Sequence, residues 1–327
     1  MNLRESKLAA RLGLKYPILQ APVGSMAGVE LASAVSNAGG LGSLALTWTP
    51  KETAVDLVRN LKTQTKKPFF VNYVLAFPVL SLDEVLEESA PVVTFAWGTP
   101  KRVVQKCHDA NALVGVQVGT SEGAKAARDA GVDFIICQGV EAGGHVQSTT
   151  PLLSLLEDVL QSCPNLPVVA AGGLTDGEDM ASVLSAGADA VMLGTRFVAT
   201  IESRAHPLYK RALVDSTAED AVITVCFNGG WDHAPHRVLR NSTLTNWEGA
   251  GCPPPGSRPG EEEQIAFNST GRVIRRYDEM PPANDMHGDI VACVLYAGLG
   301  CAKIKDIPTV AGLLPELWSN CLRAQST

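Results

Sequence analysis

No run of apolar residues in this 327-residue sequence approaches the roughly 18 to 20 needed to carry a helix across a bilayer, which argues against a membrane-spanning protein. Residues 1–7 lack the apolar centre of a secretory signal, and Gln325-Ser326-Thr327 is not a peroxisomal address of the Ser-Lys-Leu kind, so the cytoplasm is the expected location. A basic excess is missing too. The 27 Lys and Arg are outnumbered by 34 Asp and Glu, and the two signs are interspersed, which leaves no stripe to track a phosphate backbone and favours small-molecule partners over nucleic acid. The eight cysteines form no CxxC pair and mostly sit inside apolar runs such as Ile136-Cys137-Gln138 and Ala292-Cys293-Val294. That usage suits reduced core thiols rather than a disulfide framework.

What is present is a repeating α/β rhythm, with 46% hydrophobic residues to fill a large core. Eight short Val/Ile/Leu-rich runs read as strands at 17–21, 42–46, 68–73, 92–96, 112–118, 133–137, 167–171 and 190–193. Helix-length stretches separate them at 29–37, 50–61, 81–88, 100–109, 121–130, 151–161 and 176–186, several opened by a Ser, Thr, Asp or Pro and several closed on glycine. The strands are continuously apolar, as expected when both faces of a parallel sheet are covered. Eight such units predict a (β/α)8 TIM barrel. A doubly wound sheet with a dinucleotide site is disfavoured because the first strand runs into Gln20-Ala21-Pro22-Val23-Gly24, with no GxGxxG.

The rhythm breaks after Ala212. Residues 1–213 are therefore read as the barrel, completed in part by the C-terminal helices, and 214–327 as a C-terminal capping segment without a clear core pattern of its own. Within the cap, Trp231 and Trp247 are expected to be packing residues, 261–263 a solvated acidic face, and 289–297 and 310–318 helical.

The sixth strand runs into Gln138-Gly139-Val140-Glu141-Ala142-Gly143-Gly144-His145. In this fold the loops at the C-terminal ends of the strands carry the chemistry. Paired glycines let backbone lie against a ligand, and the histidine brings a group that titrates near neutrality. A plain glycine turn carrying a structural histidine accounts for the octapeptide alone equally well. The seventh strand ends in Gly172-Gly173 and the eighth in Met192-Leu193-Gly194-Thr195, supplying free N–H groups and a hydroxyl where barrels commonly hold a phosphate. Ala21-Pro22-Val23 offers a rigid, small surface for a flat ring. Asn72 and Gln138 can bond a ring edge, although loop capping is the competing role for both. Flavin mononucleotide, FMN, meets these combined demands.

Taken in order, Gln20-Ala21-Pro22, Asn72, the Gln138-to-His145 run, Ala170-Ala171-Gly172-Gly173, Leu193-Gly194-Thr195-Arg196-Phe197, the 232–243 run and Tyr296-Ala297-Gly298-Leu299-Gly300 resemble the successive signatures of the nitronate monooxygenases. The resemblance implies a capped barrel with bound FMN on Ala21, Pro22, Val23, Asn72, Gln138, Gly143, Gly172, Gly173, Met192, Leu193, Gly194 and Thr195, and His145 as catalytic base. It further implies oxidation of alkyl nitronates, or of neutral nitroalkanes after His145 takes the α-proton, with O2, giving carbonyl compounds and nitrite. Val146-Gln147-Ser148 departs from the small glycine-containing turn that many members carry after the histidine, which leaves substrate size open.

Other readings stand beside it. An FMN-dependent NAD(P)H oxidoreductase, reducing an enoyl thioester or a quinone, shares a comparable Gly-Gly-His. A non-enzymatic flavin binder keeps the fold without the reaction. A zinc site on His233, His236, Cys226 and Cys252 lacks a closed zinc spacing. Met26 and Tyr296 are candidates for the pocket lining.

Overall fold

The computed structural model describes residues 6–229, 231 and 233–326; Gly230 and Asp232 of the run noted above, residues 1–5 and Thr327 lie outside the described residues. Eight parallel strands form the central sheet: β1 (Ile18–Gln20), β2 (Gly42–Ala45), β3 (Phe69–Val74), β4 (Val92–Ala96), β5 (Leu113–Val118), β6 (Phe134–Gln138), β7 (Val168–Ala171) and β8 (Ala190–Leu193). Consecutive strands from β2 to β8 pair with one another, and β1 pairs with β8. A parallel bridge between Leu19 and Leu41 brings the start of β2 against β1 and rounds the sheet into a barrel. The predicted strands are therefore found, each within one or two residues.

Strand parity decides what each residue does. Leu19, Phe70, Val92, Phe134, Ile136, Val169, Ala171, Ala190 and Met192 share one cluster inside the barrel, which Leu8 of the N-terminal helix Lys7–Leu12 joins. Alternate residues such as Ile18, Val71, Val93, Ile135, Cys137, Val168, Ala170, Val191 and Leu193 pack outward against the helices. Because the period is two, Asn72 and Gln138 continue the inward rows of Phe70 and Ile136 to the barrel mouth. Gln20 falls on the outward row with Ile18, and there it exchanges hydrogen bonds with Ser43 at 2.7 and 2.8 Å.

The outer ring closes late in the chain. Helix Val310–Ala324, capped by the Thr309 hydroxyl, packs against Val29–Ala38 and Gly177–Ser185 and so takes the place of the helix that follows β8. Its apolar residues Val310, Leu313, Leu314, Leu317 and Cys321 recur at helical spacing on the buried side.

Residues between β8 and that helix cover the mouth. They contain helices Pro207–Asp215 and Ser242–Gly249, a three-stranded antiparallel sheet of Gln264–Asn268, Val273–Arg275 and Met286–Gly288, and the antiparallel pair Ala221–Thr224 and His236–Leu239. This part carries apolar clusters that had no clear pattern in its sequence, one around Tyr209, Leu213, Ile265, Ile274 and Ile290 and another around Phe227, Val238, Leu244 and Tyr277. Residues 289–297 also differ from the helix expected there. Only Ile290–Ala292 makes a 3-10 turn, because the following backbone is drawn alongside strand His236–Leu239: Leu239 N–H donates to the Leu295 carbonyl and Ala297 N–H to the Arg237 carbonyl. All eight cysteines are free, and all but Cys252 are buried. No described helix is long and apolar enough to cross a membrane.

Candidate active site

A cavity of about 590 Å³ opens at the C-terminal ends of the barrel strands, within the range that holds cofactors and substrates. Ala21, Pro22, Val23, Asn72, Gln138, Gly143, Gly172, Gly173, Met192, Gly194, Thr195 and His145 all line it. Met26 and Tyr296 line it as well. Leu193 does not: it sits on the outward row, and what it gives the mouth is a backbone carbonyl that accepts from Ala21 N–H at 2.8 Å.

The floor of the site is built by strand ends held close. Gly172 and Gly173 adopt φ of 120° and 69°, the left-handed region that glycine enters without strain. A Cβ on Gly300 would lie 2.1 Å from the Gly173 carbonyl oxygen, and one on Gly143 would lie 2.4 Å from the Gly298 nitrogen, so both positions accept only glycine without a shift of backbone. The Thr195 hydroxyl accepts from Gly298 N–H at 3.0 Å, tying the β8 end to the returning cap. The result is a cradle of small residues, Gly172, Gly173, Gly194, Thr195 and Gly300, suited to a phosphate approaching bare backbone.

Polar groups stand over that cradle. Asn72 donates to the Thr94 carbonyl at 3.3 Å and to its hydroxyl at 3.0 Å, which turns the amide oxygen away from both. Gln138 braces its own loop, donating to the His145 carbonyl at 3.3 Å and accepting from Gln147 N–H at 3.1 Å. Loop bracing and cavity lining are therefore both served by Gln138. The departure at Val146-Gln147-Ser148 is firmly held: Val146 is buried with its N–H on the Pro235 carbonyl, and Gln117 donates to the Gln147 side chain at 3.1 Å.

His145 is fixed from two directions. It belongs to the loop leaving β6, yet Gly144–His145 also forms an antiparallel strand with His236–Leu239 of the cap, His145 facing His236 and Gly144 facing Arg237. Its ring stacks on Trp231 at 4.3 Å between centroids and lies 5.4 Å from His236 and 5.9 Å from Tyr296. The Nε2 atom is buried and has no hydrogen-bond partner. Burial first, and the neighbouring His236 second, push this imidazole down to about 3, so it is neutral throughout the physiological range. His236 itself is a fixed tautomer: its Nε2 accepts from Phe227 N–H at 3.3 Å, which leaves Nδ1 to donate to the Ala234 carbonyl at 3.0 Å. Both its ring nitrogens are thus committed to backbone, and the imagined zinc ligand set loses that member.

Two features were missed in the sequence. Trp231, expected to pack the cap, instead lines the cavity against His145. Arg237, 7% exposed, donates to the carbonyls of Ala142 at 3.2 Å, Ala221 at 2.9 Å and Val140 at 2.8 Å, and so clamps the glycine loop from the cap. No sequence signal could have paired residues nearly a hundred positions apart. A neutral buried imidazole beside a glycine-lined cavity can accept a proton from a bound carbon acid or orient an anion made elsewhere.

Comparison with known proteins places this geometry. A family model described as nitronate monooxygenase matches residues 5–81 and 77–320. The nitronate monooxygenase of Pseudomonas aeruginosa is 33% identical, with 91% of this chain and 94% of that protein covered. A (3aS,4S,5R,7aS)-5-hydroxy-7a-methyl-1-oxo-octahydro-1H-indene-4-carboxyl-CoA dehydrogenase of Mycobacterium tuberculosis is 34% identical, covering 76% of this chain and 69% of that one. Among solved structures, FabK from Thermotoga maritima superposes with a TM-score of 0.84 at 30% identity over 99% of this chain and 98% of that one. A nitroalkane oxidase from Streptomyces ansochromogenes gives 0.77 at 30% identity over 97% and 99%.

Proposed function

We propose that this chain, which belongs to the nitronate monooxygenase family and is an oxidoreductase, binds FMN at its barrel mouth and oxidises alkyl nitronates with O2 to carbonyl compounds and nitrite. The observation that carries the reading is the convergence of two glycine-lined strand ends, the inward amides of Asn72 and Gln138, and a dry neutral histidine on one cavity.

In this assignment Gly172, Gly173, Gly194 and Thr195 hold the phosphate. Ala21, Pro22, Val23, Gly143 and Met192 support the ring, Asn72 and Gln138 meet its polar edge, and Leu193 acts through its backbone. The bound flavin supplies the electron transfer between nitronate and dioxygen. The chain supplies position and a proton acceptor. Neutral His145, with Nε2 free of any protein partner, takes the α-proton of a neutral nitroalkane. For a substrate that arrives as nitronate, the same ring orients the charged nitro oxygens. Nε2 is covered by its neighbours, so the substrate reaches it by displacing one of them.

A second reading has its own support, since FabK superposes more closely than the nitroalkane oxidase does. In that reading the same site takes hydride from NAD(P)H and reduces an enoyl thioester or a quinone. The purified protein separates the two. FMN-type absorbance and a released cofactor of FMN mass, with NADH unconsumed in the presence of a quinone or an enoyl thioester, support the first reading. A colourless protein that never takes up FMN removes both, and rapid NADH oxidation selects the second.

A further inference from the structure

Aromatic residues make up 6% of the sequence, yet three of its five tryptophans meet at the cavity mouth. They come from successive strand-end loops. Trp48 follows β2, Phe77 follows β3, and Trp97 follows β4, while Trp231 arrives from the cap. Trp231 lies 4.8 Å from Trp97 and 5.0 Å from Phe77 between ring centroids, both edge-on, and Trp48 meets Phe77 edge-on at 5.2 Å. Trp231 also stacks on His145, so this aromatic wall runs up to the proposed base.

Two observations separate the wall from ordinary packing. Trp48 is 55% exposed, although burial is what normally justifies so large an apolar surface. Trp97 has φ of 59°, a left-handed conformation that is strained for a bulky side chain and collects at ligand clamps. In addition, neither Trp48 nor Trp97 gives its indole N–H to a described residue, whereas Trp247 donates to the Pro253 carbonyl at 2.9 Å. Two donors are thereby left for a ligand's acceptor oxygens.

We infer that the substrate is a ring-bearing nitro compound, an arylalkyl nitronate rather than a short-chain one, whose flat body seats against Trp48, Trp97 and Trp231. The inference rests on the nitronate reading for the reacting group only. The recognition of the ring depends on the wall. A short alkyl chain buries too little surface to use it, whereas one added phenyl ring seated on indole faces gains about tenfold or more in affinity.

The test uses the holoenzyme and two pairs of probes. Oxygen uptake is measured with the nitronates of (2-nitroethyl)benzene and nitroethane, and calorimetric binding with the unreactive carboxylates 3-phenylpropanoate and propanoate, of which only the first carries the ring. The ring-bearing member of each pair is expected to show about tenfold lower KM or Kd. That ratio falls towards one in Trp48→Ala and is kept in Trp48→Phe, which separates loss of the ring face from misfolding. Equal KM and equal Kd within both pairs overturn the inference even where both nitronates are turned over. A tenfold preference for 3-phenylpropanoate with neither nitronate oxidised supports the wall and defeats the nitronate reading instead.

Discussion

Arg237→Met is the perturbation that most severely tests how His145 is held. The guanidinium reaches three backbone carbonyls from two parts of the chain, Val140 and Ala142 in the glycine loop and Ala221 in the cap, and no carboxylate pairs with it within salt-bridge distance among the described residues. Met keeps much of the apolar stem and removes all the donors. Each carbonyl left buried without a partner costs about 1 to 3 kcal/mol, and some of that is recovered as the charge no longer has to be desolvated. A net loss of roughly 3 to 5 kcal/mol is expected, about 4 to 7 °C in Tm for a chain of this size. Thermal unfolding followed by circular dichroism measures it, and hydrogen exchange locates it. The Val146 amide, bonded to the Pro235 carbonyl, should exchange faster, whereas amides of β3 and β4 on the far side of the barrel should not. Arg237→Lys recovers part of the stability, because one ammonium cannot reproduce the fork. A Tm within 2 °C of the parent, with unchanged exchange at Val146, would refute the clamp.

The depressed His145 gives a signed pH prediction. Its folded value lies near 3 and its unfolded value near 6.5, so below 6.5 the unfolded chain binds a proton that the folded one does not. Stability therefore falls as pH drops from about 6.5 to 3, by at most about 1.4 kcal/mol per pH unit from this group, and His145→Asn should flatten the slope of Tm against pH in that window. In His145→Asn, FMN should remain bound while turnover of neutral nitroalkanes is lost; full turnover in that variant removes His145 from the base role. Gly300→Ala should weaken FMN retention at least tenfold, measured by dialysis and flavin fluorescence, because the new Cβ meets the Gly173 carbonyl at 2.1 Å.

The parallel barrel was legible because strands buried on both faces must be apolar throughout, and the eight runs leave little else for them to be. The glycine-lined floor of the cavity was legible for a related reason, since Gly172-Gly173 and Gly194-Thr195 directly follow the seventh and eighth apolar runs. Parity refined it: Asn72, Gln138 and Met192 point inward, and Leu193, one residue further on, points out. What escaped is what depends on the cap. Arg237 acts on residues nearly a hundred positions away, and Trp231 owes its place at His145 to a sheet that joins the β6 loop to the strand beginning at His236. The stretch at 289–297 carries apolar residues that fit a helix as well as a strand, and only the strand His236–Leu239 decides between them.

Oxygen consumption by the purified holoenzyme with a nitronate, in the absence and then the presence of NADH, tests the central claim most directly. The account predicts rapid uptake with nitronate alone, nitrite appearing alongside the carbonyl product, and no change when NADH is added. Uptake that requires NADH, or none at all from a fully flavin-loaded protein, would contradict it.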